Sequence, residues 1–148
     1  MRPSLERYML NIAKVVATRS TCSRRAVGAV ITNASNHIIS TGHNGVPSGV
    51  THCVDVPCKG ADFESGQGLD LCKAQHAEVN AAAHCRDLPS AFAIYLTTSP
   101  CMSCAKLIAA THIKKVVFEG DVYDASSLDY LEDLGIEIFQ LPKEELKI

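Results

Sequence analysis

The stretch Cys72-Lys-Ala-Gln-His76-Ala-Glu78-Val-Asn80, with Thr98-Ser99-Pro100-Cys101-Met-Ser-Cys104 downstream of it, decides how the rest of the chain is read. The second cluster is a Pro-Cys-x-x-Cys and the first a His-x-Glu. One imidazole and two thiolates make three ligands for a tetrahedral zinc. Three protein ligands leave the fourth position for water, which is the catalytic and not the structural arrangement. Zinc brings the pKa of bound water from about 16 toward about 7. Glu78 lies two residues after His76, near the metal with no need to ligate it. It can accept the proton of that water and pass it on to a leaving group. Taken alone, a Cys-x-x-Cys also fits a redox pair or half of a structural zinc site, and a His-x-Glu means little. It is their combination, with Pro before the first Cys, that selects catalytic zinc.

Working outward, a helix over residues 75–86 opens at His76 and carries the high-propensity run Ala81-Ala82-Ala83. Residues 91–98 read as a strand. Pro100 starts a helix over 101–111, with both cysteines in its first turn, where the partial positive charge favours thiolates. A strand over 114–119, a helix from Ser126 or Ser127 through Leu134 stopped at Gly135, and a strand over 136–141 complete the downstream half.

Upstream, Ser4 caps a helix over 4–20, in which Leu5, Tyr8, Met9, Ile12, Val15 and Val16 recur at helical spacing. Arg7, Lys14 and Arg19 are expected to face water. Residues 26–33 and 37–42 form a hairpin turning at 33–36. His37 and His43 read as surface or strand-end residues. The Gly/Pro-rich stretch 42–49 is a loop, in which Asn44 can present both a donor and an acceptor. Residues 50–75 are irregular. The order αββαβαβαβ predicts an α/β fold. It is a three-layer α/β/α sandwich around a mixed, mainly parallel five-stranded sheet, in one domain spanning 1–148.

With 148 residues, 47% of them apolar, the chain suits one domain with a sizeable core. A formal charge of −2 and the absence of Trp argue against a nucleic-acid polymer as partner, which needs basic patches and stacking platforms. No apolar run reaches transmembrane length and no signal-peptide pattern is seen, so a soluble cytoplasmic protein is expected. In that compartment seven cysteines mean reduced thiols and metal, not disulfides. His52, Cys53, Cys58 and Cys72 fall in one irregular segment, which points to a second, structural zinc stapling it.

The His-x-Glu and Pro-Cys-x-x-Cys pair resembles the motif of the zinc nucleobase deaminases. Nearly the whole chain resembles the deoxycytidylate deaminase family. Cys22-Ser-Arg-Arg-Ala-Val27-Gly28-Ala29-Val30 is similar to its opening strand block. Gly42-His43-Asn44-Gly45-Val46-Pro47-Ser48-Gly49 is similar to its Gly-Tyr-Asn-Gly-x-Pro-x-Gly loop, with His43 in place of Tyr. His76-Ala-Glu78-Val-Asn80-Ala81 and Pro100-Cys101-Met-Ser-Cys104 resemble its two zinc helices. The Asn-Gly-x-Pro block is the discriminating one among deaminases that share the zinc motif.

The resemblance implies a cytidine deaminase-like fold and hydrolytic deamination of dCMP to dUMP and ammonia. His76, Cys101 and Cys104 would bind zinc, Glu78 would shuttle the proton, and Asn44 would contact the nucleotide sugar. A 5′-phosphate needs cations and hydroxyls. Arg24 and Arg25 are the candidates, with Ser23 and Tyr123 as helpers. Cys22, His52, Cys58 and Cys72 match the region where some members hold a second zinc, with Cys53 as a substitute for His52. Members are typically hexamers under dCTP and dTTP control with Mg²⁺. This chain reads Ala-Ala-Ala-His84-Cys85-Arg86 where regulated relatives place a bulky aromatic. The rival expectations are a deaminase of dCTP, of free cytidine or of a base in single-stranded nucleic acid, and a non-enzymatic zinc module binding nucleic acid.

Overall fold

The computed structural model describes residues 1–64 and 73–146. Helix α1 (Leu5–Ala17) is followed by strands β1 (Gly28–Asn33) and β2 (Ile38–His43), helix α2 (Ala77–Ala83), strand β3 (Ala91–Leu96), helix α3 (Met102–Ala109), strand β4 (Lys115–Glu119), helix α4 (Ala125–Asp133) and strand β5 (Glu137–Leu141). This is the expected order. The sheet runs β2-β1-β3-β4-β5. β1 is antiparallel to both neighbours, while β3, β4 and β5 are parallel. Every strand but β1 therefore points the same way, and each of the last three helices crosses between parallel strands.

The centre of the sheet is buried on both faces, so β1 and β3 are buried at all but one position each instead of alternating. On one side Ala77 and Ala81 of α2, Ala105 and Ile108 of α3, and Leu128 and Leu131 of α4 pack on Ala29, Ile31, Ile94, Leu96, Val116 and Phe118. On the other, Met9, Leu10 and Ala13 of α1 cover Val30, Ala93, Tyr95 and Val117. Two glycines let helices come close. A Cβ on Gly28 would sit 1.9 Å from the Ala13 carbonyl oxygen, and one on Gly42 would sit 2.4 Å from the Ala81 nitrogen. The second contact seats α2 directly on the end of β2.

Local chemistry sets the boundaries. The Ser4 hydroxyl accepts from the Arg7 N–H at 3.1 Å, as the cap predicts. α4 starts earlier than its serines indicate, because Asp124 caps it through the Ser126 N–H at 3.0 Å. Gly135 ends it at φ 79°. The buried face of α1 is centred on Met9, Leu10, Ala13 and Ala17, whereas Tyr8 and Val15 stay about half exposed. Nor do Arg7 and Lys14 face water. Both are drawn in by the buried Glu119 carboxylate at the end of β4, Lys14 at 2.7 Å. A buried carboxylate needs such partners, and this constraint overrides the polar pattern of the helix.

Candidate active site

The three zinc-type ligands converge from two helix starts. His76 is the residue before α2 and Cys101 the residue before α3, both with extended backbone. Cys101 thus precedes its helix instead of lying inside the first turn, while Cys104 is the third residue of α3 and is buried. His76 Nδ1 lies 3.3 Å from Cys104 Sγ and 3.6 Å from Cys101 Sγ. All three ligand atoms fall within 4.8 Å of one another, the one such group among the described residues. Tetrahedral bonds of about 2.0–2.3 Å put ligand atoms roughly 3.3–3.8 Å apart, so the set fits zinc.

The thiols are already poised for ligation. The Cys101 thiol is pushed down to about 4, first by a hydrogen bond from Cys104 and next by His76, against the effect of burial. The Cys104 thiol, donor to that thiolate and itself buried, is held far above the ordinary thiol range. The pair keeps one proton between them, and a bound cation would displace it. His76 is held above its usual value, chiefly by its hydrogen bond with Cys101. Glu78 is only 5% exposed, and its carboxyl is raised mainly by that burial, with a hydrogen bond from Cys104 opposing. A carboxyl raised this way both takes up and releases a proton nearer neutrality.

A cavity of about 240 Å³ opens over this group. Its walls include His76, Glu78 and Cys101, which mark the metal end, together with Asn44, Ser99, Arg24, Arg25 and Tyr123. Sheet register brings Asn44 here. Gly28 of β1 pairs with His43 of β2, so Val27 and Asn44 extend the ladder by one step. The buried Asn44 side chain spans the two chains, accepting from the Val27 N–H at 2.8 Å and donating to the Arg25 carbonyl at 2.8 Å. One amide hydrogen and one lone pair remain for a ligand. The Arg25 guanidinium stands 5.5 Å from the Tyr123 ring centroid. Arg24 instead donates to the Phe63 and Glu64 carbonyls at 3.1 and 3.0 Å, tying down the loop. The Ser23 hydroxyl faces Cys53 at 3.1 Å.

Of the residues expected at a second zinc, Cys72 lies outside the described residues. Cys22 lines the cavity just described. His52 is exposed beside Asp55 at 3.8 Å. The thiol that approaches Cys58, at 3.5 Å, belongs to the buried Cys53. Burial opposes ionisation of Cys53, but the Cys58 N–H and the Ser23 hydroxyl bring it down to about 7. Sequence reasoning also passed over Ser99, whose buried hydroxyl has no partner among the described residues, and Gln75, Thr98 and Phe63 in the cavity wall. Ser99 and Thr98 immediately precede Pro100 and Cys101, a proximity that could have flagged them.

Residues 3–120 match the family described as "Cytidine and deoxycytidylate deaminase zinc-binding region". A deoxycytidylate deaminase of Schizosaccharomyces pombe is 36% identical over 144 residues, covering 94% of this chain and 44% of its own length. The chain thus spans less than half of that relative. A deoxycytidylate deaminase of Mycobacterium phage D29 is 40% identical over 126 residues, covering 79% of this chain and 95% of the relative. The crystal structure of dCMP deaminase from cyanophage S-TIM5 in complex with dCMP and dUMP superposes with a TM-score of 0.75 at 27% identity, covering 95% of this chain and 99% of that one. With its ligands gathered under one cavity and this family match running over most of its length, the chain belongs to the cytidine and deoxycytidylate deaminase zinc-binding family.

Proposed function

We propose that the protein deaminates dCMP to dUMP, with water consumed and ammonia released. The observation that carries this is a three-ligand site with an unligated, buried Glu78, in one cavity with Asn44, Arg25 and Tyr123. His76, Cys101 and Cys104 would hold zinc, and the bound ion would supply a Lewis acid that makes water acidic near neutral pH. Glu78 would carry both protons of the water: the first to N3 of the pyrimidine as the oxygen bonds to C4, the second from the new C4 hydroxyl to the amine as the C4–N bond breaks and ammonia leaves. Asn44 orients the sugar with its spare amide hydrogen. Arg25, stacked on Tyr123, receives the 5′-phosphate; Arg24 acts at one remove, by holding residues 63 and 64.

A second substrate, dCTP, has one observation in its favour. A neighbouring cavity of about 660 Å³ shares Arg25, Val27 and Thr98 with the first and is lined by Lys14 and Lys143, along with Glu119, Glu144 and Glu145. Arg25 borders both cavities, and that shared wall is what supports a longer phosphate chain as the alternative.

The same reading includes a structural zinc on Cys22, Cys58 and Cys72. Cys53 serves in place of His52 as the remaining ligand, supported by the 3.5 Å approach of the Cys53 and Cys58 thiols. It includes a homo-hexamer responsive to dCTP and to dTTP with Mg²⁺, which rests on the sequence resemblance. It also implies a reducing compartment such as the cytoplasm, since all six described cysteines are free thiols. Among the described residues no helix is long and apolar enough to cross a membrane.

Ammonia release measured across dCMP, dCTP, cytidine, deoxycytidine and an oligonucleotide tests the substrate. The highest kcat/KM is expected with dCMP. A preference for the nucleosides or the oligonucleotide would overturn the nucleotide reading.

A further inference from the structure

One side chain of the zinc-bearing helix neither lines the cavity nor meets a ligand side chain, yet it ties the helix to the substrate end. Asn80 lies two positions after Glu78 on α2. Its Nδ2 donates to the His43 carbonyl at 2.8 Å and to the Gly45 carbonyl at 3.3 Å. Both partners are acceptors, so the amide orientation is fixed. These two carbonyls flank Asn44. On its other side the same loop forms a two-way bridge with the residue before His76: the Gly45 N–H donates to the Gln75 carbonyl at 3.1 Å, and the Gln75 N–H to the Gly45 carbonyl at 2.9 Å. Asn44 then passes the connection on, through its own side chain, to the Arg25 carbonyl and the Val27 N–H. An unbroken run of hydrogen bonds therefore joins the helix of His76 and Glu78 to the backbone that carries Arg25.

We infer that Asn80 is a positioning residue for the nucleotide: it sets the height of Asn44 over the metal end of the cavity, and so the pose of the sugar relative to Glu78. This rests on the dCMP reading above. Both Nδ2 hydrogens are spent on the two carbonyls, and Asn80 does not line the cavity, so its side chain acts at the site through Asn44. Losing two neutral hydrogen bonds corresponds to a roughly 5- to 150-fold effect.

The test is a double-mutant cycle between Asn80→Ala and Asn44→Ala, read as kcat and KM for dCMP and as the dissociation constant of the product dUMP, with zinc content measured on each variant. Asn80→Ala is expected to raise KM and the dUMP constant about ten- to a hundredfold, to leave kcat within about threefold and to keep its zinc. The double variant is expected to be no worse than the poorer single variant, since both changes break one connection. Asn80→Asp, equal in size but unable to donate to the two carbonyls, is run through the same cycle and carries it should the Ala variant fail to fold. Effects that multiply, a loss confined to kcat, or loss of zinc would each overturn the assignment while leaving the dCMP reading intact. Wild-type enzyme without dCMP turnover would sink both, and is told apart by the wild-type control alone.

Discussion

His76 Nδ1 and Cys104 Sγ lie 3.3 Å apart although the residues are 28 positions apart in the chain. The approach exists because α2 and α3 start beside one another at the same end of the sheet. Cys104 is buried and Glu78 is buried, but only Cys104 belongs to the ligand group. Cys104→Ser is therefore expected to lose the catalytic zinc together with activity. Glu78→Gln is expected to keep the metal and lose about 10²–10⁴-fold in kcat, the range for removing a proton-transfer group. Metal analysis of the two purified variants beside their turnover separates the roles. Zinc missing from Glu78→Gln would mean the carboxylate is a ligand.

The two adjacent arginines are expected to behave differently. Arg25→Ala should lower kcat/KM for dCMP about ten- to a hundredfold, the worth of one charge-assisted hydrogen bond, and change deoxycytidine turnover little. Arg24→Ala removes the contacts to the Phe63 and Glu64 carbonyls, and should lower turnover of both substrates alike. Assays of each variant on the phosphorylated and unphosphorylated substrate decide it. Equal losses on both substrates for Arg25→Ala would remove it from the phosphate.

Zinc stoichiometry distinguishes the neighbours His52 and Cys53. The reduced, unchelated protein is expected to carry two zincs per chain. Cys53→Ser should carry one, and His52→Ala two, because the Cys53 thiol and not the His52 ring faces Cys58. One zinc in the wild-type protein would eliminate the structural site.

Beneath the N-terminus of α1, Lys115 Nζ is 2.9 Å from Glu6 Oε1 and 5.1 Å from the Phe139 ring centroid. The hydrogen bond from Lys115 holds the Glu6 carboxyl below its ordinary value. A carboxyl lowered by folding stabilises the protein above its unfolded pKa, about 4.3, and that contribution fades as pH falls through the folded value. Glu6→Gln should therefore cost no more than about 1 kcal/mol at pH 7, with the difference from wild type closing as pH falls below about 4. Urea unfolding at several pH values measures it. A gap that stays constant with pH would show that the pair contributes nothing through charge.

Much of this protein is local and so legible in the sequence. The order of elements follows from hydrophobic periodicity and from caps and breakers such as Ser4 and Gly135, which act within a few residues. The catalytic ligands could be named from His76-x-Glu78 and Pro100-Cys101-x-x-Cys104, because helix starts place such spacings by themselves. What tertiary structure decided is which groups meet across distance. Arg7 and Lys14 turn inward because a carboxylate more than a hundred residues away needs them. Arg24 is drawn to loop carbonyls while its neighbour Arg25 reaches Tyr123, a division that two consecutive identical side chains cannot announce. Asn44 serves the backbone of residues 25–27 as well as the cavity, and Asn80 holds Asn44, only because the register of β1 against β2 and the close seat of α2 on Gly42 bring them within reach. Hydrogen bonds act over about 3 Å, so their partners are fixed by packing and not by spacing along the chain.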